Sequence, residues 1–286
     1  MKEHKDTEHW DIIISAKKGK NSFNFAELWR YRDLILQFAK RDIATVYNQT
    51  ILGPLWFLIQ PLLTTVLFIV VFGSIAKIPT GNIPGTLFYL SGLTIWNYFT
   101  ACFTATASTF LTNSAIFGKV YFPRLVTPIS KVISGLFIFG AQFILFIGFL
   151  IYYITVKGIT IHITPYLLLI PYLLLVMGGL GLGAGIIISS LTIRYRDLSF
   201  LVSFGVQLIM YVTPIIYPLS IIKGKMRMLI LANPMSAVIE DFRYAFFPEG
   251  AFHWLYLAYS SLFMIAALLI GFLIFNKTER NFIDSV

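Results

Sequence analysis

The histidine and cysteine side chains are the residues of this sequence best suited to metal binding or nucleophilic catalysis. The four histidines are scattered along the chain, and no two have the spacing of a metal-binding helix. The single cysteine, Cys102, excludes a disulfide framework and a cysteine-based metal cluster. Catalysis would need a nucleophile with a base, paired carboxylates or a metal cage. We therefore expect neither a catalytic residue nor a bound metal in this chain.

A glycine-rich run, residues 178–185, is the next candidate for chemistry, because glycine-rich loops bind phosphates. The run lies inside a long apolar segment with no strand before it, which argues against a nucleotide. Its spacing, Gly179 to Gly183 and Gly181 to Gly185, is instead typical of closely packed membrane helices. None of the three Gly-Lys pairs is followed by Ser or Thr, so the usual phosphate loop is missing. We expect no cofactor in this chain; any ATP and Mg²⁺ would bind a partner subunit.

The composition favours a membrane protein. Of the 286 residues, 57% are hydrophobic and only 12% are charged, whereas soluble domains carry about 25% charged residues. This excludes a soluble globular protein, and the same numbers exclude disorder, which needs low hydrophobicity and high charge. The net charge of +9 would favour nucleic acid in a soluble chain, but in a membrane protein basic residues report orientation. We expect no nucleic-acid partner.

Six apolar stretches, each near the length of about 20 residues that crosses a bilayer, predict an all-α integral membrane fold with six transmembrane helices. They contain no charged residue or histidine and cover residues 55–76, 86–111, 132–156, 164–193, 198–222 and 254–275. The even count puts both termini on one side. Sixteen of the 22 Lys and Arg residues fall on that side, and cytoplasmic segments carry the excess of positive charge. We therefore predict a multi-pass protein of the bacterial cytoplasmic (inner) membrane with both termini cytoplasmic.

Residues 25–42, before the first predicted span, have the pattern of an amphipathic helix. The apolar side carries Leu28, Tyr31, Ile35 and Phe38, and the polar side carries Arg30, Asp33, Gln37, Lys40 and Arg41. Such a helix, basic on its polar side, should lie in the cytoplasmic membrane interface. Two readings stay open: an ordinary anchor, or a lever that transmits motion from a cytoplasmic partner to the first span.

The predicted cytoplasmic loop of residues 113–127 mixes aromatic and basic side chains, namely Phe117, Lys119, Tyr121, Phe122 and Arg124. The combination is typical of protein interface anchors, and equally of an aromatic belt at the membrane surface.

On the predicted outer side, the loop of residues 223–253 holds an apolar stretch, 228–239, that Asn233-Pro234 divides. A segment of half the crossing length, broken by proline, predicts short re-entrant helices. A surface cap is the alternative.

Aromatic side chains recur along the second and third predicted spans. The candidates for a sugar-binding path are Trp96, Tyr98, Phe99, Phe103, Phe139, Phe143, Phe146 and Tyr153. Uncharged aromatic faces fit the apolar faces of sugar rings and would let a glycan slide. The alternative is that these rings pack against lipid or neighbouring helices.

Three segments resemble the permease subunits of ABC-2-type polysaccharide exporters. They are residues 47–61 (Tyr-Asn-Gln-Thr-Ile-Leu-Gly-Pro-Leu-Trp-Phe-Leu-Ile-Gln-Pro), residues 119–124 (Lys-Val-Tyr-Phe-Pro-Arg) and the pair Arg196-Asp197. The resemblance extends over residues 10–275 in the same order. It implies three parts: a cytoplasmic tail with a gate helix (1–54), a six-span transmembrane domain (55–275) and a second cytoplasmic tail (276–286).

The resemblance also implies partners and site residues. It implies a homodimer with two ATP-binding cassette ATPase subunits and a channel for lipid-linked polysaccharide, such as O-antigen, capsule or teichoic acid. The implied ATPase contact is a coupling helix with Phe117, Lys119, Tyr121, Phe122 and Arg124, together with Arg196 and Asp197. The implied gate helix carries Leu28, Trp29, Arg30, Tyr31, Ile35 and Phe38. The runner-up functions are an ABC-2 exporter of drugs or lipids and an integral membrane glycosyltransferase or acyltransferase.

Overall fold

In a computed structural model, the protein is described for residues 25–47, 51–117, 119–120, 122–159, 164–192, 195, 197–249, 252 and 254–283. Within these residues the regular elements are helices, and none is a strand. The helices are α1 (Phe25–Arg30), α2 (Arg32–Tyr47), α3 (Trp56–Phe68), α4 (Gly85–Ala107), α5 (Thr109–Phe117), α6 (Val126–Thr155), α7 (Ile170–Thr192), α8 (Leu198–Val212), α9 (Gly224–Ala232), α10 (Pro234–Phe246) and α11 (Trp254–Ile283).

Four helical segments of the described chain are long and apolar enough to cross a membrane. They are Gly53–Ile75, Val126–Thr155, Pro165–Thr192 and Trp254–Thr278. The first is α3 lengthened by a 3-10 turn before it and a π-helical segment after it, and the third is α7 with a 3-10 turn before it. The all-helical, multi-pass membrane architecture is thus confirmed, and four of the six predicted spans have a matching helix.

The other two predicted spans differ from the rest, so six crossings stay a prediction. Helix α4 is 23 residues long, but it is less apolar than the four segments above, and it packs against α3, α6, α7 and α10. Helix α8 has only 15 residues, fewer than the roughly 20 that cross a bilayer. It ends at Val212 because Pro214 follows; the residue before a proline avoids helical geometry, and Thr213 is extended.

The glycines of α7 allow both α4 and α11 to pack closely against it. Added Cβ atoms at Gly181 and Gly185 would lie 2.8 Å and 2.6 Å from the Cβ atoms of Cys102 and Thr106 on α4. An added Cβ at Gly183 would lie 2.8 Å from the backbone nitrogen of Leu268 on α11. The Gly181–Gly185 spacing therefore fits α4, and the Gly179–Gly183 spacing fits α11. The predicted packing role of the glycine run is confirmed.

Substitution of Gly183 by alanine is expected to lower stability by about 1–3 kcal/mol, the usual cost of overpacking. The clash with the α11 backbone must exceed the gain of about 1 kcal/mol in helix propensity. Gly140→Ala is the matched control, because nothing lies within 4 Å of an added Cβ there. Thermal unfolding in detergent should show a lower midpoint for Gly183→Ala only. Equal midpoints for Gly183→Ala and wild type would contradict this packing.

The bundle has two distinct ends. Helix α2 lies against the start of α6, where the side chains of Asp42 and Lys131 meet. Helix α10 lies beside the start of α4 and the last turns of α6. Because α4 and α6 run in opposite directions, these contacts fall at opposite ends. We call them the interface-helix end, which carries α2, and the opposite end, which carries α9 and α10.

The structure changes one detail predicted from the sequence and agrees with another. The predicted amphipathic helix 25–42 is two helices, α1 and α2, separated by a turn at Tyr31 whose N–H bonds to the carbonyl of Leu28. The predicted break at Asn233-Pro234 is confirmed. Pro234 is the first residue of α10, and the Asn233 side chain caps it by accepting a hydrogen bond from the Met235 N–H at 3.1 Å.

Candidate functional site

Helix α2 is fixed to the bundle by its apolar side. Ile35 and Ala39 are buried, and the ring of Phe38 meets that of Phe122 edge-on, with centroids 5.6 Å apart. Leu28 and Tyr31 are partly buried, whereas Trp29 is 65% exposed and Arg30 is exposed too. The residues predicted for a gate helix therefore divide into a docked set and a set that faces outward. Their role in gating stays a prediction.

An ion pair joins this helix to α6, and the sequence analysis did not identify it. Lys131 Nζ lies 2.6 Å from Asp42 Oδ2, with each side chain only 15% exposed. The Arg41 guanidinium donates to the other carboxylate oxygen at 3.0 Å and lies over the Phe38 ring, 4.7 Å from its centroid. A shielded charge needs such partners because it has lost most of its water. The pair thus fixes the position of α2 relative to α6.

The predicted coupling loop is largely packed into the same end of the bundle. Phe117 and Phe122 are buried, their ring centroids 5.8 Å apart, and Phe117 also meets Phe110. Arg124 is only 8% exposed, and its guanidinium carbon lies 5.5 Å from the Phe117 ring centroid. Its position fits a residue that holds the loop in shape.

Two neighbouring residues of that loop remain available to a partner. Lys119 is exposed and Val120 is 59% exposed. Val120 was not selected from the sequence, although an apolar side chain next to a lysine in a predicted loop is a recognisable sign of a contact surface. Asp197 is exposed just before α8, while Tyr121 and Arg196 lie outside the described residues. We call Lys119 and Val120 the loop tip.

Most of the aromatic residues predicted for a glycan path lie inside the bundle. The buried ones, with exposures from 0 to 6%, are Trp96, Tyr98, Phe99, Phe139 and Phe146. Phe103, Phe143 and Tyr153 are partly buried. The rings of Phe139 and Phe143 stack with centroids 5.4 Å apart, and those of Phe146 and Phe246 meet edge-on at 4.9 Å. In this conformation the rings pack helices together, and their contact with a glycan stays a prediction.

Exposed aromatic rings are found instead on α8. Phe200 is 79% exposed, Phe204 60% and Tyr211 51%. Of the fifteen residues of this helix only Val206 is buried. Hydrophobicity does not show which side of an apolar helix lacks a neighbour, so this face could not be recognised from the sequence.

A second polar group, at the opposite end, surrounds the buried Arg243 of α10. Its guanidinium donates to Glu240 Oε1 at 2.7 Å and to the carbonyl of Pro214 at 3.0 Å, and its carbon lies 3.8 Å from the Phe88 ring centroid. Burial raises the pKa of the Glu240 carboxyl, while Arg243, the backbone of Leu219 and Arg227 act in the opposite direction. Burial lowers the pKa of Arg243, and Glu240 counteracts it. The described residues include no group of His, Cys, Asp and Glu that could hold a metal ion.

Relatives of known role match the chain along most of its length. It is 29% identical over 265 residues to the O-antigen export system permease protein RfbA of Klebsiella pneumoniae, covering 93% of this chain and 98% of that protein. It is 28% identical to RfbA of Myxococcus xanthus over 77% of this chain and 83% of the relative. The polysialic acid transport protein KpsM of Escherichia coli is 23% identical, over 86% and 93% of the two chains.

The family pattern agrees with these relatives. It covers nearly all of α2, the loop tip and the Arg243 group. Because the pattern described as ABC-2 type transporter matches residues 33–247, the chain belongs to the ABC-2 type transporter family.

Proposed function

We propose that this chain is the permease subunit of an ATP-driven exporter that moves lipid-linked polysaccharide across the bacterial cytoplasmic membrane. The similarity to the Klebsiella pneumoniae O-antigen export permease carries the proposal, because it covers 93% of this chain and 98% of the relative. The two other relatives are also named for polysaccharide transport or export. An all-helical membrane chain without a phosphate loop fits a subunit that takes its energy from a separate ATPase.

The proposed assembly contains two permeases and two ATPase subunits. The permease has six crossings with both termini in the cytoplasm, supported by the distribution of Lys and Arg. The interface-helix end then faces the ATPase, and the loop tip is the contact. The exposed faces of α3 and α8 support pairing of two copies around a channel, since Phe200 and Phe204 are 79% and 60% exposed in one copy.

The proposed mechanism passes motion along α2 and α6. A movement of the ATPase against the loop tip reaches the ring cluster of Phe117 and Phe122, which also touches Phe38 of α2. The Asp42–Lys131 pair connects α2 to α6 about one turn further along α2. Both contacts would move α2 and α6 as one body, so that nucleotide binding changes the width of the channel between two copies.

Depletion of this chain from the bacterium that encodes it tests the proposal. Lipid-linked glycan should accumulate on the inner leaflet and disappear from the cell surface, and wild-type chain should restore it. The wild-type chain should not restore surface glycan when the phosphate-loop lysine of the partner ATPase is replaced. Normal surface glycan after depletion, with loss of efflux of a small hydrophobic dye, would favour a drug or lipid exporter. A glycan product formed by the purified chain without any ATPase would favour a glycosyltransferase.

A further inference from the structure

A small polar cavity lies at the opposite end, next to the Arg243 group. Its volume is about 170 Å³. Its polar lining consists of two arginines, two glutamates and three hydroxyl-bearing side chains, from Arg227, Arg243, Glu240, Glu249, Thr80, Ser220 and Tyr244. These residues come from α9, α10 and the segments that follow α3, α8 and α10. The cavity therefore exists only where five parts of the chain meet, and sequence spacing gives no sign of it.

The walls of the cavity are held in place by hydrogen bonds. Glu249 Oε2 accepts the backbone N–H of Asn82 at 3.1 Å, which ties the end of α10 to the turn before α4. Gly81, in that turn, has φ +70°, and an added Cβ there would collide with the Glu249 carboxylate. Arg243 is 4% exposed and fixed by Glu240 and Pro214. These contacts account for the shape of the cavity without filling it.

Hydrogen-bonding capacity remains on the charged groups of the lining. The Nε–H of the buried Arg243 makes no hydrogen bond within the described part of the chain. A buried donor left in this way costs about 1–3 kcal/mol, and Arg243 is one of the residues that line the cavity. Glu249 and Ser220 are exposed and Arg227 is half-buried. The cavity therefore opens to the surface along one rim.

The balance of charge indicates what such a molecule would be. Two guanidinium groups and two carboxylates give no net charge, so a phosphate would meet repulsion from Glu240 and Glu249 as well as attraction. A polyhydroxylated ring uses both kinds of group, because its hydroxyls donate to carboxylates and accept from guanidiniums. Phe88 and Tyr244 add aromatic surface to the lining, which fits the apolar face of such a ring.

The size of the cavity agrees with this chemistry. At ~30 Å³ of liquid volume for each water, the space of about 170 Å³ corresponds to roughly six waters. That is enough for one pyranose ring and too small for a disaccharide. We propose that the cavity binds a single neutral sugar ring of the exported glycan. The inference rests on the proposed function and adds to it a sugar subsite at the opposite end, apart from the aromatic rings in the middle of the bundle.

Ligand-observed NMR on the full chain in lipid nanodiscs tests the subsite directly. The probes are free glucose, galactose, mannose, rhamnose and N-acetylglucosamine, with inorganic phosphate as the anion. At least one sugar should show saturable binding and phosphate none. Arg227→Gln and Glu249→Gln should each weaken the binding of that sugar about tenfold, the effect of losing one charge-assisted hydrogen bond. Glu249→Gln keeps an oxygen that can accept the Asn82 N–H, so the wall should stay in place.

Lys225→Gln is the matched control, because it removes one positive charge from an exposed position on α9, two residues from Arg227. It should bind the sugar within about twofold of wild type, a difference well under 1 kcal/mol. Ser220→Trp, which plugs the exposed rim, should abolish binding while the thermal midpoint stays that of wild type. Binding of phosphate alone, or no binding of any sugar, would overturn the proposal. Glycan export by the same wild-type chain would then show that the proposed function survives without this subsite.

Discussion

Replacement of Val120 by aspartate is expected to weaken binding of the ATP-binding subunit at least about tenfold, a loss of about 1.4 kcal/mol or more, while the chain stays folded. Val120 is 59% exposed at the loop tip, so a charge there costs little in the free chain. In the complex the same charge would have to lose its water in the contact. Lys119→Glu should act in the same direction. Co-purification of the tagged subunits from membranes, followed by a titration in detergent, measures the effect.

Two other variants separate a contact effect from a folding effect. Val156→Asp changes a valine that is 63% exposed at the other end of α6, and it should assemble normally. Arg124→Glu should instead lower stability, because it removes a cation–π contact worth about 1–2 kcal/mol and places a carboxylate against Phe117. If Val120→Asp assembled like wild type while Arg124→Glu remained stable and lost the ATPase, the contact would include Arg124 and the loop-tip assignment would be wrong.

Removal of the Lys131 charge is expected to uncouple ATP hydrolysis from export. Lys131→Met leaves Asp42 in a pocket where both side chains are 15% exposed. Loss of one partner lowers the free energy of unfolding by about 3–5 kcal/mol for a fully buried pair and by about 0–1 kcal/mol for an exposed pair. For this partly shielded pair we expect a loss of about 2 kcal/mol. Arg41 still contacts Asp42, which limits the loss. The complex should then hydrolyse ATP but export less than about a tenth of the glycan, since a ten-fold change needs only about 1.4 kcal/mol.

A double-mutant cycle distinguishes the pair from the individual side chains. Asp42→Asn alone leaves the Lys131 ammonium without its anion, and the double variant removes both charges. The double variant should be more stable than the sum of the single losses, with a coupling energy of about 1–2 kcal/mol. Lys157→Met removes an exposed lysine just after α6, at the opposite end of the bundle, and should change neither stability nor the ratio of export to hydrolysis. Additive losses in the cycle would mean that the pair does not connect α2 to α6.

Local patterns predicted the helices well wherever the physical cause was local. The Asn233-Pro234 pair predicted a break in the apolar stretch, and in the structure α10 begins there, with Asn233 as its cap and Pro234 in its first turn. The four-residue glycine spacing predicted close packing, although it did not show that Gly181 meets α4 while Gly183 meets α11. The span predicted over residues 198–222 is longer than the helix that forms there, because Pro214 ends α8 at Val212.

The candidate sites were harder to predict because their residues are far apart in the chain. Asp42 and Lys131 are separated by 89 positions, and each looked like an ordinary polar residue near a membrane surface. The aromatic residue types selected for a glycan path are also those of a buried core. Only the packing of the helices shows that Phe146 is buried in the bundle and Phe200 is exposed on its surface. Arg124 matched a partner-binding pattern, yet the neighbouring rings bury it.

The central claim is that this chain conducts polysaccharide but receives its energy from a separate subunit at the interface-helix end. Reconstitution into proteoliposomes, with lipid-linked glycan in the membrane and ATP on the side of the loop tip, tests it most directly. We expect that the chain alone neither binds ATP nor moves glycan, and that addition of its ATPase produces both hydrolysis and transport. Hydrolysis of ATP or movement of glycan by the chain alone would contradict the account.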